Sequence, residues 1–112
     1  MASEIEWIES ALKDLDQEIE YVNNEFGYLV AQKVYHKIMD HIGLLASFPK
    51  MGMKYEDMTF MGNEVRKLPI HHITVFYSQQ ENKVTVLALW NNYQDSDNIP
   101  SFLAEHPAEF TK

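Results

Sequence analysis

The chain has 112 residues, 46% of them apolar and 23% charged; nine are basic, seventeen acidic and none is cysteine, for a net charge of −8. This length supports one modest core, and the composition excludes a disordered polymer. Disulfides, thiolate metal sites and a cysteine nucleophile are excluded too, and the acidic total argues against strong direct nucleic-acid binding, which draws most of its affinity from phosphate neutralisation. No apolar run approaches the ~20 residues of a membrane helix. The N-terminal residues carry Glu4, Glu6 and Glu9, whereas a secretory signal starts positive. The expected location is the cytoplasm, with no membrane partner.

The charge is unevenly spread. Residues 1–47 hold nine acids and three bases, 50–83 hold four acids and five bases, and 91–112 hold four acids and one base. The first third therefore reads as a solvated acidic helix face or as a surface attracting a basic partner.

In chain order, Glu4 to Ile8 alternates in polarity and predicts a short strand. Ser10 is placed to cap the helix that follows. Ile8, Leu12, Leu15, Ile19, Val22 and Phe26 recur at steps of three and four, the stripe of an amphipathic helix, with Lys13, Asp14, Asp16, Gln17, Glu18 and Glu20 opposite. Gly27 ends it. Ala31, Val34, Ile38, Ile42 and Leu45 form a second stripe, stopped at Phe48-Pro49. The two helices predict an antiparallel hairpin.

Lys50 to Asn63 reads as a long loop holding Gly52, Gly62 and four methionines, Met51, Met53, Met58 and Met61. Strands follow at Glu64 to Leu68 and His72 to Ser78, the latter with Ile73, Val75 and Tyr77 on one face and Thr74, Phe76 and Ser78 on the other. Gln79-Gln80-Glu81-Asn82 is a turn. Lys83 to Trp90 is apolar enough to be a central strand covered on both faces. Residues 91–112 read as a polar C-terminal tail with a short helix starting near Pro100 and ending at Pro107. The fold class is α+β, βααβββ, a helical hairpin on a small, mainly antiparallel sheet, in one domain over 1–112. The expectation is that the sheet's other face is bare and covered by another polypeptide.

The search for chemistry is mostly negative. No phosphate-binding glycine loop is present, and His36 and His41 lie about 140° apart on a helix, so no metal or cofactor is expected. One constellation stands out. Arg66 and Lys67 lie on one strand, His71 and His72 just after it, Tyr77 on the next, and Tyr93 beyond the last. Metal-free RNA cleavage needs a base for the 2′-hydroxyl, cations for the phosphorane and a donor for the leaving oxygen, which Arg, Lys, His and Tyr supply. The plainer reading makes Arg66 an ion-pair member, Tyr77 a half-buried strand aromatic and Tyr93 a rim residue.

The ordered segments Ala11-Leu12-Lys13-Asp14-Leu15, Gly27, Ala31 with Ile38, Leu45-Ala46-Ser47-Phe48-Pro49-Lys50-Met51-Gly52, Val65-Arg66-Lys67-Leu68, Thr74-Val75-Phe76-Tyr77 and Val84 through Trp90 together resemble the ParE/RelE superfamily. These are the toxin halves of bacterial type II toxin–antitoxin pairs, often described as plasmid stabilisation proteins. The resemblance spans about residues 5–99 and implies the same βααβββ order. It implies a cognate antitoxin whose C-terminal segment wraps the toxin as helix and strand. It implies one of two actions: binding and poisoning DNA gyrase, or cleaving messenger RNA on the ribosome.

On the nuclease reading Arg66 and Tyr93 would be catalytic, with His72 as acid or base. On the binding reading Arg66, Lys67, Tyr77 and Trp90 would meet antitoxin or target. Where the family commonly shows an arginine after the last strand, this chain has Asn91-Asn92-Tyr93-Gln94-Asp95. That departure favours the ParE-like side, with a RelE-like nuclease or a non-toxic member that only binds antitoxin as alternatives.

Overall fold

The computed structural model describes residues 3–106 and the backbone of residues 110–111. The elements are β1 (Glu4–Trp7), α1 (Glu9–Phe26), α2 (Tyr28–Leu44), β2 (Met53–Phe60), β3 (Asn63–Ile70), β4 (Ile73–Gln80), β5 (Lys83–Asn91), α3 (Ile99–Ala104) and β6 (Phe110–Thr111). The sheet order is β1-β5-β4-β3-β2-β6. β1 runs parallel to β5; every other pair is antiparallel. The α+β class and the hairpin-then-meander order expected from the sequence are found.

α1 and α2 cover one face. Their buried side chains, Ala11, Leu15 and Val22 with Ala31, Val34, Ile38 and Ile42, meet Ile73, Val75 and Tyr77 of β4 and Val84, Val86 and Leu89 of β5. The α2 stripe is as expected. The α1 stripe is displaced at its ends: Ala11 is buried, whereas Leu12 and Phe26 are exposed. Ser10 is no cap. The residue at that position is Ile8, with no side-chain cap, and Ser10 lies in the first turn with its buried Oγ unpartnered.

The expected 50–63 loop is largely a strand. Met53–Phe60 pairs with β3, but the register slips between Lys54 and Thr59, and Glu56 takes φ 48°. This irregularity breaks the two-residue alternation that marks a strand in sequence. A tight turn at Met61-Gly62, both at positive φ, then reverses the chain as hairpin turns require.

The second sheet face is not bare. After β5 a 3-10 turn at Ser96–Asn98, closed by the Asp95 carboxylate accepting from the Asp97 N–H, leads into α3. α3 lays Ile99, Phe102 and Leu103 on a cluster of Met58, Phe60, Val65, Phe76, Leu87, Ala88 and Trp90. Pro100 stands in its first turn, as expected. Pro107 lies outside the described residues. Residues 99–104 are therefore not simply a polar tail, and the expectation of a face kept open for another chain is corrected. The sequence signal was present in Ile99, Phe102 and Leu103, three apolar residues at helical spacing.

Candidate functional site

The conspicuous polar side chains fall into three groups, each fixed by a different part of the fold.

The first group holds the turn between α2 and β2. The Tyr77 hydroxyl, on β4, donates to the Pro49 carbonyl at 2.8 Å and accepts from the Gly52 N–H at 2.8 Å. Arg66, opposite Tyr77 in register, donates to the Gly52 carbonyl at 2.6 Å and to the Glu64 carboxylate at 2.7 Å. Gly52 is required: a Cβ there would stand 2.7 Å from both the Lys67 carbonyl and the Tyr77 hydroxyl. Burial pushes the Tyr77 phenol above its ordinary value, against the opposing pull of the Gly52 N–H and Arg66. The Phe-Pro-x-Met-Gly segment, the strand arginine and the strand tyrosine are thus one clamp.

The second group lies at the β3–β4 turn. The His72 Nε2 is 2.9 Å from a Glu18 carboxylate oxygen, and its Nδ1 is 2.8 Å from the Nδ1 of His71. Asn91 donates to the same Glu18 oxygen at 3.3 Å. The Tyr93 ring stacks on His72, 5.9 Å between centroids and 12° between planes. A carboxylate only accepts, so His72 Nε2 carries the proton. In the neutral pair His72 Nδ1 then accepts from His71 Nδ1–H, which leaves His71 Nε2 as an outward acceptor. Partial burial, with His72 and Lys37 nearby, lowers the His71 pKa. A cleft of about 230 Å³ opens here between the α1–α2 tip and the turn, lined by Tyr21, Phe26, Val30 and Val34 with both histidines and Tyr93.

The third group was not anticipated. Asp14 of α1 accepts from the Leu89 N–H at 3.1 Å and pairs with His106 Nε2 at 2.9 Å, while the other His106 ring nitrogen meets the Phe102 carbonyl at 2.9 Å. β1 ends at Trp7, opposite Val86. Asp14 thus takes over β5's outward N–H just past the end of that ladder. Asp14 and Glu18, both read as solvent-facing, are half-buried fasteners.

Beyond these groups, the hairpin tip is apolar and uncovered. Phe26 is 63% exposed, Tyr28 65% and Leu29 73%. Patches of this kind mark interaction surfaces.

Over residues 5–95 the chain matches the family model described as "ParE toxin of type II toxin-antitoxin system, parDE". It belongs to the ParE toxin family. No curated relative matches it. A solved structure, "Chromosomal ParDE TA system from P. aeruginosa", is similar at a TM-score of 0.66 and 16% identity, covering 80% of this chain and 96% of that one. At that identity the likeness is one of fold.

In this ParE-family chain the expected site residues do not gather. His72 and Tyr93 come together, but Arg66 lies on β3 four residues before Ile70, where the strand ends, roughly 13 Å along it, and its guanidinium is engaged with Gly52 and Glu64. Lys67 points to the opposite face, its ammonium 5.7 Å from the Tyr55 ring centre. Tyr77 and Trp90, expected to meet a partner, are buried at 0% and 3% exposure. The hairpin covers the first, and Phe102 of α3 packs edge-on against the second. As the chain stands, neither offers surface. Among the described residues no three His, Asp or Glu side chains converge as a metal site requires, and no helix is long and apolar enough to cross a membrane.

Proposed function

We propose that this chain is a ParE-like toxin that acts in the cytoplasm by gripping a protein target, DNA gyrase first, and is neutralised by a cognate antitoxin. The family match over residues 5–95 carries the reading. Two features support a gripping action over a chemical one. The exposed apolar tip at Phe26, Tyr28 and Leu29 is the kind of surface that buries against another protein. Arg66, the strand cation of the nuclease reading, is also spent on the Gly52 clamp, on a different stretch of sheet from His72 and Tyr93. An antitoxin segment has an obvious route, since β1 forms one edge of the sheet and strand addition needs such an edge.

The test uses the purified full chain, supercoiled DNA and gyrase. Inhibition of supercoiling, relieved by adding the antitoxin, is expected. A correctly folded sample that leaves supercoiling untouched removes gyrase as the target. Messenger RNA cleavage by the same sample, lost in Arg66→Ala but kept in a variant of equal stability loss such as Tyr77→Phe, would instead establish the nuclease alternative.

A further inference from the structure

We propose that the cleft between the hairpin tip and the β3–β4 turn is a docking site for one aromatic side chain, an indole, carried on a basic segment of a partner polypeptide. The inference deepens the toxin reading by naming the chemistry of a partner's anchor, and its test does not pass through toxicity.

Volume sets the size of the guest. At about 230 Å³ the cleft falls below the roughly 300–1,000 Å³ of sites for drug-sized ligands, yet exceeds the ~150 Å³ cavity that holds a benzene. It fits one ring system. Its walls set the guest's polarity. Tyr21, Phe26, Val30 and Val34 are apolar on their contact faces, and no Asp, Glu, Lys or Arg lines the space. A phosphate, carboxylate or ammonium group would lose its hydration there without a counter-charge.

The polar feature that selects among rings is His71. Its Nδ1 is committed to His72, and His72 is held by Glu18, so the edge left to a guest is Nε2. The relay makes that edge an acceptor while the pair is neutral. The matching guest is an apolar ring with an N–H and no acceptor of its own. Indole is the side chain of that description, and tryptophan is a favoured anchor at protein interfaces.

Two observations make the guest part of a polypeptide. At the same hairpin tip as Phe26, Tyr28 and Leu29 are exposed as well, and a lone ring would leave them uncovered. The helix that forms one wall is acidic on its solvent side: Glu9, Asp16, Glu20 and Glu25 are exposed there against a single base, Lys13. A segment bearing lysine or arginine around its tryptophan complements that charge.

The experiment titrates N-acetyl-tryptophanamide into the full chain and follows the side-chain NMR signals of His71, Tyr93 and Val30. Saturable shifts at all three are expected. The 1-methylindole analogue, which lacks the N–H, should bind about five-fold more weakly, the worth of one hydrogen bond. His71→Phe should bring the two analogues level. Val30→Trp, at an exposed position, should fill the cleft and abolish the shifts without unfolding the protein. A lysine-flanked tryptophan peptide should bind more tightly than a glutamate-flanked one.

The absence of saturable shifts, equal binding of N-acetyl-leucinamide, or shifts that survive Val30→Trp would overturn the site. A preference for the glutamate-flanked peptide would overturn the basic partner. Failure to inhibit gyrase leaves these shifts unaffected, and their absence leaves the toxin reading standing, so the two fail separately.

Discussion

Asp14 and Glu18 stand one turn apart on α1, and each closes on a histidine from a different part of the chain: Asp14 on His106 and Glu18 on His72, both at 2.9 Å. Each carboxylate also reaches β5, at the Leu89 N–H and the Asn91 amide. The acids of α1 are therefore of two kinds. Asp16 and Glu20 face solvent, while Asp14 and Glu18 hold the helix to the sheet and bind in the β3–β4 turn and the segment after α3.

Asp14→Ala should be the costliest change among the α1 acids. It leaves the Leu89 N–H without its acceptor and takes the Nε2 contact from His106, and a buried donor orphaned as that of Leu89 is costs about 1–3 kcal/mol. Asp16→Ala should change the unfolding free energy by less than about 0.5 kcal/mol, as surface substitutions do. Urea titration of both variants against wild type checks the difference.

The Asp14–His106 pair should make stability depend on pH. Burial pulls the His106 pKa down, but the hydrogen bond and charge of Asp14, with the Phe102 carbonyl, push it up further, to a net value above the ordinary 6.5. The folded chain thus holds this proton more tightly than the unfolded chain. The stabilisation is complete below pH 6.5 and is lost as pH rises through the raised folded value. His71 has the opposite sign: its lowered pKa lets the unfolded chain take the proton first, so its contribution falls as pH drops below 6.5. Measured across pH 5 to 9, the stability gap between wild type and His106→Gln should narrow with rising pH. His71→Gln should gain on wild type as the solution is acidified.

The Gly52 clamp should respond to either side of the contact. Tyr77→Phe keeps the ring but strands the Pro49 carbonyl and the Gly52 N–H, at about 1–3 kcal/mol. Gly52→Ala forces a methyl against backbone and a buried hydroxyl and should cost about 1–3 kcal/mol as overpacking does. Both atoms sets belong to one contact, so the double variant should lose less than the sum of the two. Thermal or urea unfolding of the three variants gives the coupling.

Much of this architecture was legible because it is written in period. The α2 stripe from Ala31 to Leu45 and the opposed faces of β4 follow from side-chain spacing alone, and the structure keeps them. β2 was hidden because its register slip near Glu56 removes the alternation a strand shows, while its methionines and the flanking Gly52 and Gly62 imitate a loop. The site was less legible for a different reason. Sequence offers Arg66, His72, Tyr77 and Tyr93 as one set, but burial and pairing sort them into two groups: Arg66 and Tyr77 are spent on the Gly52 turn, while His72, stacked on Tyr93, is held by Glu18, 54 positions away. Asp14 and Glu18 carry no mark of burial, because an i, i+4 pair of acids on a polar helix face looks like any solvated face.

Ser10 offers a substitution that should stabilise. Its hydroxyl is buried without a hydrogen-bond partner inside the first turn of α1. Ser10→Ala removes that desolvated group and improves helix propensity, so the unfolding free energy should rise by up to about 1 kcal/mol. A fall of that size in urea titration would show that the hydroxyl is engaged after all.

Leu103 decides whether α3 is an integral part of the core or a cover. The side chain is 1% exposed, under a helix of only six residues that follows an exposed segment at Asn92 to Asn98. Leu103→Ala removes its most buried anchor, and buried leucine truncations cost about 2–5 kcal/mol where the loss falls on the whole fold. A short element held by one face opens locally instead, at a free energy below that of global unfolding. Hydrogen exchange should therefore show the Glu105 and His106 amides losing protection at least about thirty-fold, the equivalent of 2 kcal/mol, with β4 and β5 unchanged. Acrylamide should quench Trp90 more readily in the same variant, since Phe102 would no longer cover it. Equal loss of protection across β4, β5 and α3 would instead make the C-terminal helix part of one cooperative unit, closed to any partner that needs Trp90.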